Sequence, residues 1–415
     1  MLLFETHDIF GGVMLTTIRN LEKPTVDDDR FRDACVLVVK VTTSCNLSCS
    51  YCYENAYRNG QQMSLTTWQE IIAKTLRSST RRLMAIIIHG GEPTLVPAAW
   101  MDNACDYAFR VAADAEKPKK IAVTVQSNLV TVSRAWVAVA RKHGIHISVS
   151  LDGPSEIPSH MRPNTGSALM NYFRLRDSDI SLSVLTTINQ SNWDQFDRIA
   201  PWVHKELSQD AFKANPVFPV GRAAAMSTLK PKQIVTAQTA ILQYMITCSG
   251  TFLEHNLAEE ILRFFATEDE RRAFPRALHL DRPCGAGREV LSFSPTGHIF
   301  PCGRLPDADK RYDMGTIQNI NYDLFASAIV AFHREPAPYM ENCRSCVASR
   351  ICDGGCQAFV LNTHPRSNPG CLPTILRHAF YVKNRERLIP VLSAIRRHPG
   401  YRFAGRLPFR AAYVQ

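Results

Sequence analysis

At 415 residues, with 45% hydrophobic and 21% charged side chains, the chain has the composition of an ordinary globular protein and the length for two or three domains. No apolar run approaches the ~20 residues that cross a bilayer, and the opening MLLFETHDIF puts Glu5 and Asp8 where a secretion signal would be apolar; a cytoplasmic protein with no membrane partner is expected. The formal net charge of +10 fits a solvated basic surface or attraction to an acidic partner, and no nucleic-acid-binding motif accompanies it. In a reducing compartment the thirteen cysteines are better read as metal ligands than as disulfides.

Residues 1–33 read as a short N-terminal extension, with Asp27-Asp28-Asp29-Arg30 as an exposed turn. They are too few for a separate peptide-binding domain. Then comes ACVLVVKVT, a β-branched run whose Val36–Val41 core suits a buried strand. It leads into Thr43–Glu54, where Cys45, Cys49 and Cys52 stand in a C-x3-C-x2-C spacing. Three thiolates on one loop can hold three irons of a cubane [4Fe–4S] cluster and leave the fourth open to a small ligand. Disulfide pairing fails on parity, and a structural zinc would want a fourth Cys or His nearby.

From about 34 to 225, strand and helix patterns alternate. Further strands are expected at Ala85–His89, Ile121–Val125, His146–Leu151, Leu182–Thr187 and Ala214–Val220. Between them, Ser64 is placed to cap a helix carrying Trp68, Ile71, Ile72 and Leu76 on one face. Trp100–Val111 and Ser133–His143 read likewise, with Gly144 as the stop of the latter. Six β-α units imply a parallel sheet curled into part of a barrel, with its functional loops at the strand C-terminal ends. The strand ends carry His89-Gly90-Gly91-Glu92-Pro93, Gln126-Ser127-Asn128 and Ser150-Leu151-Asp152-Gly153, with Arg162 beyond. Two glycines let backbone approach a ligand closely, and Glu92 supplies an anion; a plain turn and a packed His89 are the simpler readings.

Residues 226–280 look helical at Ile234–Met245 and Leu257–Phe265, followed by the charged Glu268–Arg272, and are expected to bridge two domains. Seven cysteines follow, at 284, 302, 343, 346, 352, 356 and 371, with a hairpin over Ser294–His298 between Val290–Phe293 and Ile299–Phe300. Seven thiolates do not divide into two zinc tetrahedra, but they do divide into one four-ligand cluster site and one three-ligand site. Cys35, Cys105 and Cys248 remain, as buried structural thiols.

The cysteine triplet, with the aromatic Tyr51 before its last member, resembles the signature of the radical SAM superfamily, and the later seven resemble the SPASM auxiliary-cluster module found in some of its enzymes. Together these resemblances cover most of residues 34–375. They imply a (β/α)6 partial TIM barrel at 34–225, a helical bridge at 226–280, a cysteine-rich SPASM domain with a small hairpin and helices at 281–385, and a C-terminal tail at 386–415. They imply three [4Fe–4S] clusters and S-adenosylmethionine (SAM), cleaved to a 5′-deoxyadenosyl radical. Cys45, Cys49 and Cys52 would hold the SAM-binding cluster. Cys284, Cys302 and Cys356 would hold one auxiliary cluster, and Cys343, Cys346, Cys352 and Cys371 the other. Gly90, Gly91 and Glu92 would receive the methionine amino group, Ser150 the ribose and Arg162 the carboxylate, with Asn128 facing the cofactor.

The resemblance further implies an oxidoreductase acting on a precursor peptide, with reduced flavodoxin or ferredoxin as electron donor. Sulfatase maturation is the alternative, but the aspartate that branch carries after its G-x4-C cysteine is here Gly303, and its C-x5-C is broken by Val290. A SPASM enzyme acting on a small molecule and a non-catalytic cluster scaffold also remain. Asp307, Asp309 and His298 are candidates for a base. In the tail, Arg397, Arg402, Arg406 and Arg410 alternate with Tyr401, Phe403 and Phe409, suited to packing or to an acidic leader peptide.

Overall fold

The computed structural model describes residues 29–54, 60–157, 160–225, 229–273, 284–305, 310–334, 343, 345–352, 354–362 and 370–398. Six βα units run through it: β1 (Val36–Thr42) to α1 (Leu65–Ser78), β2 (Leu83–Gly90) to α2 (Ala98–Ala113), β3 (Lys120–Ser127) to α3 (Arg134–His143), β4 (His146–Ser150) to α4 (Thr165–Arg176), β5 (Leu182–Ile188) to α5 (Phe196–Lys205), and β6 (Ala211–Pro216) to α6 (Pro231–Thr247). Strands β1 to β6 pair in sequence, all parallel. Local chemistry sets the helix ends. Ser64 and Ser133 accept N-cap bonds from the backbone of Thr67 and Trp136, and Gly144 closes α3 in the left-handed conformation at φ 60°.

The sheet extends past both edges of this unit. Beside β6 lies β7 (Leu253–Glu254), followed by α7 (His255–Phe265) and α8 (Glu268–Ala273). Beside β1 lies β8 (Val290–Phe293), parallel to it, with β9 (Ile299–Phe300) folding back antiparallel. The expected hairpin is therefore present, with Gly297 at φ 83°, but it continues the main sheet. The expected helical bridge likewise contributes a strand and packs α6 on α5. The strand expected at Ala214–Val220 runs instead from Ala211 to Pro216. A proline has no N–H to continue a ladder, and Phe218 and Val220 turn into a second apolar cluster.

Three short helices follow: α9 (Tyr322–Arg334), α10 (Gln357–Leu361) and α11 (Cys371–Lys383). The expected tail from 386 begins as α12 (Arg385–Arg397), which buries Leu388, Val391, Leu392 and Ile395 at helical spacing. Arg377 of α11 ties this end to α7 through both oxygens of Glu260, at 2.7 and 2.6 Å. Residues 1–28 and 399–415, with the arginines and aromatics of the tail beyond Arg397, lie outside the described residues.

Alternation along the strands explains how the barrel is both packed and hollow. Leu37, Val39, Val41, Met84, Ile86, Ile88, Val123, Val125, Ile147 and Val149 join the main core. Their neighbours face the other way. Val36, Val38, Ala85, Ile87 and Val290 form a small apolar cluster on the inner side, while Thr124, Gln126, Ser148, Ser183, Lys213 and Asn215 line a cavity. Side chains of a strand alternate between faces, so one strand supplies the core with one set and the cavity with the other.

Candidate active site

The loop leaving β1 is held at its neck by backbone. The Thr43 amide donates to the Gln61 carbonyl (2.9 Å), and the Gly91 and Glu92 amides donate to the Thr42 and Ser44 carbonyls (both 2.7 Å). A Cβ at Gly90 or Gly91 would fall on the oxygen of Thr42 or Ser44, and Gly90 has φ +123°. Glycine is required here by close backbone approach. A Cβ at Gly221, φ +61°, would stand 2.6 Å from the Cys52 oxygen and 2.7 Å from that of Tyr53. Three glycines thus press the loop into place.

Within it Cys45, Cys49 and Cys52 share one small cluster with Leu47, Tyr51, Met161 and Ala223. The Leu47 amide donates to the Cys45 sulfur at 3.4 Å, and Asn128 Nδ2 lies 3.8 Å from the same sulfur. Burial pushes the Cys45 thiol up to about 11, and the Cys49 thiol is raised by the same cause. A metal must displace these protons to bind. The thirteen cysteines are free thiols. A convergent soft-donor set, with N–H groups already aimed at sulfur, fits an iron–sulfur cluster.

The expected cofactor contacts cluster around this loop. Tyr51 donates to Asp152 Oδ2, and Arg162 Nε donates to the Tyr51 hydroxyl at 2.8 Å while lying 3.4 Å from Asp152. The guanidinium carbon sits over the Tyr51 ring, 5.5 Å from its centroid. Asp152 is fixed in turn by the Thr187 amide at 3.0 Å. Ser150 accepts from Gln126 Nε2 at 2.9 Å, and Asn128 donates to Asn46 at 2.8 Å.

Glu92 is held by four donors. Its Oε1 accepts from the Thr94 amide, the Thr94 hydroxyl and the Ser127 hydroxyl, and its Oε2 from the Asn128 amide, all at 2.7 to 3.0 Å. Burial raises its pKa, against the pull of these donors. The buried carboxylate therefore fastens the end of β2 to the end of β3.

A cavity of ≈170 Å³ opens beneath the loop, inside the barrel, and reaches Cys302, Gly303 and Arg304. Tyr53 and His89 line it, joined at 3.1 Å between the hydroxyl and Nε2. Behind them Lys40, 2% exposed, meets Glu54 at 3.0 Å and the Leu305 carbonyl at 3.3 Å. Burial, with Lys40 adding to it, drives the His89 pKa down to about 3, so this histidine is neutral. A packed histidine is thus what the structure shows, though one at the cavity wall. Lys40, Tyr53, Glu54 and Arg304 were not among the expected site residues. A lysine inside an apolar strand was the sequence signal for the first.

Among the later cysteines, Cys284, Cys302 and Cys356 pack on the cluster of Phe218, Leu305 and Tyr312. Burial raises the Cys302 thiol, and Cys356 adds to it. Cys371 is raised by burial, then by Cys343 and Cys346, and Cys352 acts on Arg377 of the helix that Cys371 begins. The first set and most of the second are thus brought together. Of the candidate bases, His298 is paired with Asp313 at 2.9 Å, off the cavity lining; Asp307 and Asp309 lie outside the described residues. Cys35 and Cys105 are buried, and their thiols are pushed up to about 12, chiefly by burial, as structural thiols should be. Cys248 is partly buried and donates to the Tyr244 carbonyl at 3.0 Å.

The family model for the radical SAM superfamily matches residues 39–203. The chain carries a radical SAM domain. Its match begins in β1, just before the cysteine loop, and ends in α5. That domain, and neighbours with bound AdoMet, imply a [4Fe–4S] cluster and SAM.

Relatives extend the likeness beyond the barrel but diverge in chemistry. An AdoMet-dependent heme synthase of Oleidesulfovibrio alaskensis is 25% identical over 361 residues, 81% of this chain and 87% of that protein. A serine-type anaerobic sulfatase-maturating enzyme of Klebsiella aerogenes is 22% identical over 78% of this chain and 80% of its own. The subtilosin biosynthesis protein AlbA of Bacillus subtilis is 23% identical over 78% and 67%. Native anSMEcpe with bound AdoMet shares the fold at a TM-score of 0.71 and 17% identity, covering 86% of this chain and 99% of that one. SuiB of Streptococcus suis bound to precursor peptide SuiA follows at 0.56 and 14%, over 82% and 75%. With its cysteine-rich C-terminal region, the chain resembles SPASM-type radical SAM enzymes and is related to both peptide maturases and sulfatase-maturases. Among the described residues, no helix is long and apolar enough to cross a membrane.

Proposed function

We propose that this radical SAM protein modifies a side chain of a ribosomally made precursor peptide, installing a crosslink or a similar change. Cys45, Cys49 and Cys52 hold the SAM-binding cluster. Cys284, Cys302 and Cys356 hold one auxiliary cluster; Cys343, Cys346, Cys352 and Cys371 hold the other. When bound, the first cluster and SAM supply the radical that abstracts a substrate hydrogen. The chain supplies the rest. Gly90 and Gly91 offer backbone to the methionine end. Glu92 keeps that backbone in place, and the Tyr51–Asp152–Arg162 group sets the charge beside Cys49. Ser150 and Asn128 present polar atoms at the strand ends. Electrons come from reduced flavodoxin or ferredoxin, in the cytoplasm.

The observation carrying the peptide reading is the size of the cavity. Pockets for whole small molecules commonly run about 300–1,000 Å³. A space of ≈170 Å³ suits one side chain inserted from a peptide lying outside, and is small for a tetrapyrrole such as the heme-synthase relatives handle. Sulfatase maturation is opposed by Gly303, which stands where that branch carries its aspartate and whose missing Cβ would stand 2.9 Å from Val38 Cγ1, so a side chain there would have to displace Val38. Anaerobic co-expression with short open reading frames from the same locus tests the proposal. A defined mass change in one peptide, lost in Cys45→Ala, is expected. Unmodified peptides together with turnover of a small molecule would contradict it.

A further inference from the structure

We propose that Arg304 raises the reduction potential of the cluster at Cys284, Cys302 and Cys356 by bonding two of its sulfurs at once. This rests on the cluster assignment made above. Arg304 follows Cys302 by two residues. Its amide donates to the Cys302 sulfur at 3.4 Å, and its guanidinium Nη1 donates to the Cys356 sulfur, also at 3.4 Å. One residue thereby binds sulfurs from two distant segments, with backbone and side chain.

The surroundings keep the guanidinium aimed. Its central carbon lies 5.7 Å from the centre of the Phe218 ring. Phe218 is edge-on to Phe359 at 5.0 Å and to Tyr53 at 6.4 Å. The apolar wall also includes Leu305 and Tyr312, both fully buried, so charges act there with little screening. A guanidinium remains charged at any physiological pH, which makes this a fixed positive contact.

Adding an electron to a cluster adds negative charge. Hydrogen bonds and cations at its sulfurs favour that state. The N-terminal cysteines receive different treatment. Cys45 meets the neutral Leu47 amide and Asn128 carboxamide, and Arg162 near Cys49 is matched by Asp152. The Arg304 contact is thus a direct cation–sulfur bond at the first auxiliary site, and suits that cluster to accept electrons.

The test is a redox titration of the full chain, reconstituted anaerobically and followed by electron paramagnetic resonance. Arg304→Leu is expected to move one midpoint negative by at least tenfold in the one-electron equilibrium, about 59 mV. The other midpoints should stay in place, with iron content unchanged. Arg304→Lys keeps the charge but loses the planar fork, so a smaller shift of the same sign is expected. Should the leucine variant lose the cluster, the lysine variant decides. Unmoved midpoints at full iron content overturn the role of Arg304. The paired variant Cys302→Ala/Cys356→Ala separates the two layers of argument. It should abolish the signal that responds to Arg304. If every signal survives it, the cluster assignment fails, and the role of Arg304 with it.

Discussion

At Gly91 the absence of a side chain is a requirement of the cysteine loop, because the space for a Cβ is taken by the Ser44 carbonyl. Gly91→Ala is expected to push the loop off its neck and cost the N-terminal cluster, about four irons per chain. Iron and sulfide analysis of the reconstituted variant checks this, and full iron content would contradict it. Cys45, Cys49, Cys52, Gly90 and Gly91 were legible in the sequence because spacing and glycine chemistry are local. Glu92 was legible as a carboxylate at a strand end, but its four donors, from Thr94, Ser127 and Asn128 across two strand ends, were not. Arg304 and Glu54 were not legible at all. Each looks like a surface charge until the fold brings Cys356 to the one and Lys40 to the other.

Among the elements, α3 shows how completely short-range signals can define a segment. Its N-cap, apolar face and left-handed glycine stop agree with the sequence reading. Ser133→Ala removes the bond to the Trp136 amide, 3.1 Å long, and should cost about 1 kcal/mol. A lower urea midpoint with an unchanged slope would register that loss; an unmoved midpoint would show that the cap does not matter. Strands were harder. The polar residues of β3 to β6 alternate with apolar ones even though both faces are covered, and that pattern marked a cavity within a parallel barrel. β8 gave no such warning. Four residues, VLSF, form a hairpin arm in the sequence, and their pairing with Val36–Val39 depends on chain more than two hundred residues away.

Across the whole molecule, one nine-stranded sheet carries both the N-terminal loop and the hairpin that precedes Cys302. β1 is the shared member, paired with β2 on one side and β8 on the other. Tyr53, next to Cys52, and Cys302 therefore line one cavity, with His89 and Arg304 on its wall. Under the proposed function, that arrangement would give a radical generator and a neighbouring electron site access to one inserted side chain. All of it depends on an iron at Cys45, Cys49 and Cys52 whose fourth corner is open to the amino and carboxylate groups of SAM. Electron paramagnetic resonance of the dithionite-reduced chain, with and without SAM, measures that corner directly. The N-terminal cluster's spectrum should change when SAM is added, in the native chain and in Cys302→Ala alike, and the response should vanish in Cys52→Ala. A reduced cluster whose spectrum is indifferent to SAM would contradict the account.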